Sequence, residues 1–266
     1  MLINENKVIR MEKAFPLERK NQILDIIRHK GRVTVDELKE VFKVSGATIR
    51  RDLEFLERQG LITRAHGGAI IRGKVALEPD YFEEKERFLE EKKRIAREAA
   101  KLVEEGEVIF LEASTTVLQM AKFLRDKREL SVITNSLEIA QELRGIEGIS
   151  LVVIGGTLRK RTNSLIGPLA ELSLSQMRFD KAFIGISALD PSSGITTPTL
   201  EEAQTKKEIV KAANQVIALC DHSKFGEQNF AFVMPLEKIN ILITDKGVSS
   251  SFKGEIEKKG IKVVVV

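Results

Sequence analysis

The sequence predicts an α/β chain of two modules, a small basic helical one followed by a larger one with a mostly parallel sheet. Three observations carry this. Residues 16–74 hold a net charge of about +5 and residues 75–266 about −2, so the composition shifts near residue 75. The first seventy residues show apolar positions at helical spacing, closed by the glycine-broken run "LITRAHGGAII". Beyond them, near-continuous apolar runs alternate with helical stretches, the pattern of parallel strands buried on both faces.

At 266 residues the chain can bury a sizeable core, and no apolar run approaches the roughly 18 residues a membrane helix needs. The opening "MLINENKVIRMEKAF" has no apolar core or small-residue cleavage site, so no signal peptide is expected. Cys220 is the only cysteine, which excludes an internal disulfide and fits a reducing cytoplasm. His29, His66 and His222 are scattered, so neither a metal site nor a cofactor is expected.

In the first module, "LERKNQILDIIRHKG" places Ile23, Ile26 and Ile27 at helical spacing. "TVDELKEVF" opens with Thr34 and Glu37, a capping box, and sets Val35, Leu38, Val41 and Phe42 on one face. After a short turn, Ser45 is a candidate N-cap for a third helix ended by Gly60. There Ile49, Leu53 and Leu56 form the buried stripe, while Ala47, Arg50, Arg51 and Glu54 point outward. Gly46 lowers helix propensity but permits close approach of another surface. With the hairpin after it, this is a winged helix-turn-helix, whose third helix enters the major groove. Adjacent arginines on a helix are also an ordinary solvated face; the conjunction of elements favours nucleic acid.

These residues resemble the N-terminal domain of the DeoR family of bacterial transcriptional regulators. The match runs through Arg19, Ile23 and Ile27, then Ser45, Thr48, Ile49, Arg50, Arg51, Asp52 and Leu53, and on through "GLITRAHGGA". Gly46-Ala47 departs from the bulkier polar residues common there. The resemblance implies that Arg50 and Arg51 contact DNA, with Ser45, Ala47 and Thr48 on the same helix start. Either arginine suits a bidentate grip on guanine or a phosphate anchor. Asp52 reads as structural, orienting an arginine. Arg64 and His66 in the wing are candidates for backbone or minor-groove contacts, His66 equally for a packed turn residue.

Residues 1–15 read as a tail, 16–72 as the DNA-binding module, 73–87 as a linker and 88–266 as the second module. Helical periodicity returns from Phe88. Strand-like runs cover 108–112, 130–135, 149–156, 179–187, 215–221, 240–245 and 261–266, with helices over 115–125, 136–144 and 200–213. In such sheets ligands bind outside the C-terminal strand ends. "LEASTTVLQM" puts Ser114, Thr115 and Thr116 where a helix starts, a pattern that fits a phosphate cradle or a plain N-cap. Asn135 and Ser136, Gly155-Gly156, and Asp221, Ser223 and Lys224 follow other strands. Lysine suits a phosphate; asparagine and aspartate suit hydroxyls.

The segments "LEASTT", "VITNS", "VIGG", "SLIGP", "FDKAFIGISALDPSSGI" and "DHSKFG" are similar to the family's C-terminal sensor domain. Its fold is shared with ribose-5-phosphate isomerase, glucosamine-6-phosphate deaminase and CoA transferases. The resemblance implies a phosphorylated-sugar effector bound around Ser114, Thr115, Thr116, Asn135, Ser136, Gly156, Asp221 and Lys224. Glu112 stands where the family commonly has aspartate. It also implies a regulator bound to double-stranded operator DNA, by family habit a repressor released by ligand, with corepression and activation left open by the residues. A homo-oligomer is expected, because two recognition helices matched to half-sites gain affinity through effective concentration, and the single cysteine already points to the cytoplasm. The alternative is an isomerase-like enzyme. Against it, "TKKEIVKAA" puts Lys207 where the isomerase's basic glutamate would stand, though Glu201, Glu202 and Glu208 are near. Cys220 and His222 beside Asp221 read as a strand end with a buried cysteine, not a nucleophilic pair.

Overall fold

The computed structural model describes Arg19, Lys20, Gln22, Ile23, Ile26, Ile27 and residues 32–58, 62–65, 67–71 and 81–266. The chain divides into two units, Met1–Lys74 and Val75–Val266.

In the first unit, the described residues from Arg19 to Ile27 are helical. Strand β1 (Arg32–Thr34) follows, then the helices Val35–Phe42 and Gly46–Arg58, then β2 (Ile62–Ala65) and β3 (Gly68–Ile71). The capping box at Thr34 forms: Thr34 Oγ1 accepts the Glu37 N–H at 3.1 Å, and Glu37 Oε2 accepts the Thr34 N–H at 2.7 Å. Ile23, Ile27, Leu38, Phe42, Ile49, Leu53 and Leu56 make one core. Val41, expected on that apolar face, is 46% exposed. The expected wing is the antiparallel β2–β3 hairpin, and β1 pairs with the far side of β3. Gly68 is required there, because a Cβ would lie 2.0 Å from the Val33 carbonyl oxygen.

Among the described residues, the second unit begins with the helix Tyr81–Glu86, inside the stretch expected as linker, and the helix Leu89–Ala100. Then come β4 (Val108–Leu111), the helix Thr115–Ala121, β5 (Leu130–Thr134), the helix Leu137–Leu143 and β6 (Ile149–Val153). The hairpin β7 (Thr157–Arg159) and β8 (Ser164–Ile166) leads through the helix Pro168–Ser175 to β9 (Phe179–Gly185). Next are β10 (Ala188–Asp190), β11 (Gly194–Thr197), the helix Leu200–Ala212, β12 (Ala213–Leu219) and β13 (Ala231–Met234). The unit closes with β14 (Ile241–Thr244), the helix Ser250–Glu257 and β15 (Lys262–Val265).

Seven strands form one sheet in the order β15-β14-β12-β9-β4-β5-β6, every neighbouring pair parallel. They are the seven apolar runs of the sequence. Alternate residues enter separate cores: Phe110, Ala182 and Ile184 on one face, Ile109, Leu111 and Phe183 on the other. This two-sided burial is why the runs read as continuous. At the sheet's edge, β6 departs from the pattern and leaves Val152 and Val153 exposed. A second sheet, β10-β11-β13, is antiparallel.

Candidate DNA-contacting surface and ligand site

Ser45 starts the third helix: its Oγ accepts the Thr48 N–H at 3.2 Å and lies 3.0 Å from Thr48 Oγ1. With Ile49, Leu53 and Leu56 buried, Ser45, Ala47, Arg50 and Arg51 are exposed and Thr48 is half-buried. Gly46 meets the preceding helix, since a Cβ would lie 3.3 Å from Lys39 Cδ and 3.6 Å from Val35 Cγ1. Asp52 turns inward: Arg19 Nε donates to its Oδ2 at 2.6 Å and Nη2 to Oδ1 at 3.3 Å. The arginine that Asp52 orients is therefore Arg19, and this fork fastens the third helix to the first helical segment. Beside it, Thr48, Arg51, Phe55 and Arg58 line an open recess with Lys20, whose Nζ is 4.2 Å from the Phe55 ring centre. Arg64 lies in β2 opposite Ala69; its side chain, like His66 and Gly60, is outside the described residues.

An Asp52→Ala variant leaves Arg19 without this partner. It is expected to lose about 3 kcal/mol of stability, the range for breaking a buried ion pair, and to weaken DNA binding in parallel. Urea denaturation followed by circular dichroism checks the first.

In the second unit, Ser114 caps the helix Thr115–Ala121, its Oγ accepting the Thr116 N–H at 3.2 Å and the Val117 N–H at 3.5 Å. Gly185, at the end of β9, allows this, because a Cβ there would lie 2.2 Å from Ser114 Oγ. Asn135 Oδ1 accepts the Ala113 N–H at 2.8 Å, so the ends of β4 and β5 are tied together beside the cap. Ser136 Oγ accepts the Ile139 N–H at 3.2 Å and caps Leu137–Leu143. Gly156 has φ 152°, and a Cβ would lie 2.8 Å from the Ile166 carbonyl oxygen. It thus serves close packing of the β7–β8 hairpin.

Asp221, fully buried, follows β12 and accepts the Ser223 N–H at 3.0 Å through Oδ1. Its Oδ2 is buried with no hydrogen-bond partner in the structure. Lys224 Nζ donates to Glu84 Oε1 at 2.7 Å. Cys220 is buried, and burial pushes its thiol well above the ordinary range, which suits a core residue and not a nucleophile. His222 Nδ1 lies 2.9 Å from Asp245 Oδ2.

Sequence reasoning missed two groups. Lys206, not its neighbour Lys207, is the buried lysine: its Nζ donates to Glu112 Oε2 at 2.8 Å and to the Gly185 carbonyl at 2.5 Å. Glu112 Oε2 also accepts the Gly185 N–H at 2.9 Å. Burial holds the Glu112 carboxyl above its ordinary range, partly offset by Lys206. A signal existed, since Lys206 shares helical spacing with the buried Ala203 and Ile209. Lys92 had the same signal, at helical spacing with the buried Ile95, Ala96 and Ala99; Glu84 had none, because the pattern around residues 73–87 is irregular.

The comparisons with known proteins agree with this two-part geometry. Residues 19–74 match the DeoR-like helix-turn-helix domain, and residues 87–246 match the DeoR C terminal sensor domain. The HTH-type transcriptional regulator GlpR of Haloferax volcanii is 39% identical over 94% of this chain and 97% of its own length. The HTH-type transcriptional repressor GlcR of Bacillus subtilis is 37% identical over 93% of this chain and 95% of its own. The transcriptional repressor AccR of Agrobacterium fabrum is 32% identical over 93% and 96%. With both domain models matched in order and relatives aligned over nearly their whole length, the chain belongs to the DeoR family of DNA-binding transcriptional regulators.

Proposed function

We propose that this regulator is a repressor whose hold on operator DNA is released by a phosphorylated sugar. Ser45, Ala47, Thr48, Arg50 and Arg51 contact the major groove, and Arg64 and His66 of the wing contact the backbone or minor groove. The effector binds around Ser114, Thr115, Thr116, Asn135, Ser136, Gly156, Asp221 and Lys224. Two such chains or more assemble, since paired recognition helices on two half-sites gain affinity through effective concentration. Residues 16–72 act as the DNA-binding module and 88–266 as the effector module.

The observation that carries the effector reading is convergence. Ser114, Ser136 and Asp221 each cap a helical turn directly after a strand of the same parallel sheet, at its C-terminal edge. Hydroxyls, an unpartnered carboxylate oxygen and a lysine therefore follow strands along the edge where such sheets bind ligands, which supports the reading. A ligand shifts DNA binding only by its differential affinity for the bound and released arrangements.

Fluorescence anisotropy on DNA from upstream of the protein's own gene tests this, with an unrelated duplex as control and a panel of sugar phosphates. Specific binding released by one phosphosugar is expected. Specific binding that no phosphosugar alters sinks the effector assignment and leaves the regulator.

A further inference from the structure

We propose that Glu84 is a built-in competitor for the effector's phosphate, and that effector binding frees the helix Tyr81–Glu86 from the rest of the second unit. The proposal rests on the reading of Asp221 and Lys224 as effector-binding residues.

Glu84 Oε1 accepts from Lys224 Nζ at 2.7 Å and from Lys92 Nζ at 3.1 Å; Lys92 Nζ also donates to the Glu84 backbone carbonyl. Lys92 is 1% exposed, and burial holds its ammonium below the usual range. This cluster is under-satisfied. Glu84 Oε2 and Asp221 Oδ2 are both buried without a partner. A phosphate monoester carries more charge and more acceptor oxygens than one carboxylate, so it is the stronger partner for two lysines. A sugar hydroxyl has a ready acceptor in Asp221 Oδ2.

The same short helix is fastened to the candidate site on other sides. Lys85 Nζ donates to Glu138 Oε2 at 2.6 Å, and Tyr81 also hydrogen-bonds Glu138, two residues beyond Ser136. The helix packs against Thr115–Ala121, the helix capped by Ser114. The turn from it into the helix Leu89–Ala100 is strained: Phe88, an aromatic residue, has φ 53°, with its ring 4.7 Å from the His222 ring. Neither Lys92 nor this turn has a part in the effector reading above, and both become explicable as components of a latch.

The consequence follows from chain connectivity. Tyr81–Glu86 is the stretch through which the chain enters the second unit from the DNA-binding one. Releasing six residues adds up to about 20 Å of chain between the units. In an assembly, that lowers the effective concentration at which paired DNA-binding units engage two half-sites.

Full-length Glu84→Gln tests the latch, with calorimetry against inorganic phosphate, a sugar-phosphate panel and the same sugars unphosphorylated. Hydrogen exchange of residues 81–86 is followed alongside. The variant is expected to bind the effective phosphate ester about tenfold more tightly, with no gain for free sugars, and to exchange faster without ligand. In the wild type, the ester itself should speed that exchange. Glu84→Asp keeps the charge and should bind the ester within about twofold of wild type; a gain equal to that of Glu84→Gln would indicate general loosening and overturn the competition. An ester that binds wild type and Glu84→Gln equally overturns the latch and leaves the effector reading standing. If no phosphate compound binds either protein, the effector reading fails and the competition with it.

Discussion

An Arg50→Ala/Arg51→Ala variant is expected to lose specific DNA binding while folding normally. Both side chains are exposed on the helix Gly46–Arg58, away from the stripe of Ile49, Leu53 and Leu56 that makes its core contacts. Each arginine is worth about 1–3 kcal/mol if it reads a base edge, so removing both costs about 2–6 kcal/mol of binding. The single variants separate the roles. Loss of a base contact relaxes sequence preference at one position. Loss of a phosphate contact weakens every duplex alike and lowers the salt slope by about 1. Anisotropy titrations at several salt concentrations read both quantities. Unchanged affinity in the double variant would return these arginines to an ordinary solvated face.

The largest effect on stability is expected from Lys206→Met. It leaves the Glu112 carboxylate buried, with the Gly185 N–H but without the ammonium. Breaking a buried pair in this way costs about 3–5 kcal/mol at neutral pH. The sign with pH follows from the carboxyl, which burial already holds above its ordinary value in the folded protein. Above the unfolded value the folded state binds more protons, so this group's contribution falls as pH rises until the folded value is passed. Without Lys206 the carboxyl moves further up, and the variant's deficit should shrink on acidification as Glu112 takes up a proton. Glu112→Gln/Lys206→Met removes both charges and should recover most of the loss. Chemical denaturation at neutral and acidic pH measures each quantity, and a double variant no better than the single would refute the pairing argument.

Much of the fold was legible because its signals are local. Ser45, with Ile49, Leu53 and Leu56 at helical spacing, defines the third helix and thereby the face that carries Arg50 and Arg51. The seven apolar runs mark the sheet strands because both faces of that sheet are covered. Val41 went the other way, since spacing gives a face and not how much of it a neighbour covers. The antiparallel β10-β11-β13 sheet escaped notice because its strands are short and β13 comes 34 residues after β11 ends. The turn between β10 and β11 did have a signal: Asp190 Oδ1 accepts the Ser192 and Ser193 N–H groups at 2.9 and 3.0 Å.

The candidate site divides in the same manner. Ser114 and Ser136 were readable as caps, because a cap follows from the few residues around a helix start. Asp52 was readable as structural and arginine-orienting, but which partners Asp52, Glu112 and Lys224 meet was not, for those lie 33, 94 and 140 residues away. By itself the sequence determined the two modules, the third helix with its exposed face and the buried strands, each set by spacing within a few residues. Only the tertiary structure decided which charges meet, because that depends on strand order in the sheet and on where each crossover helix returns.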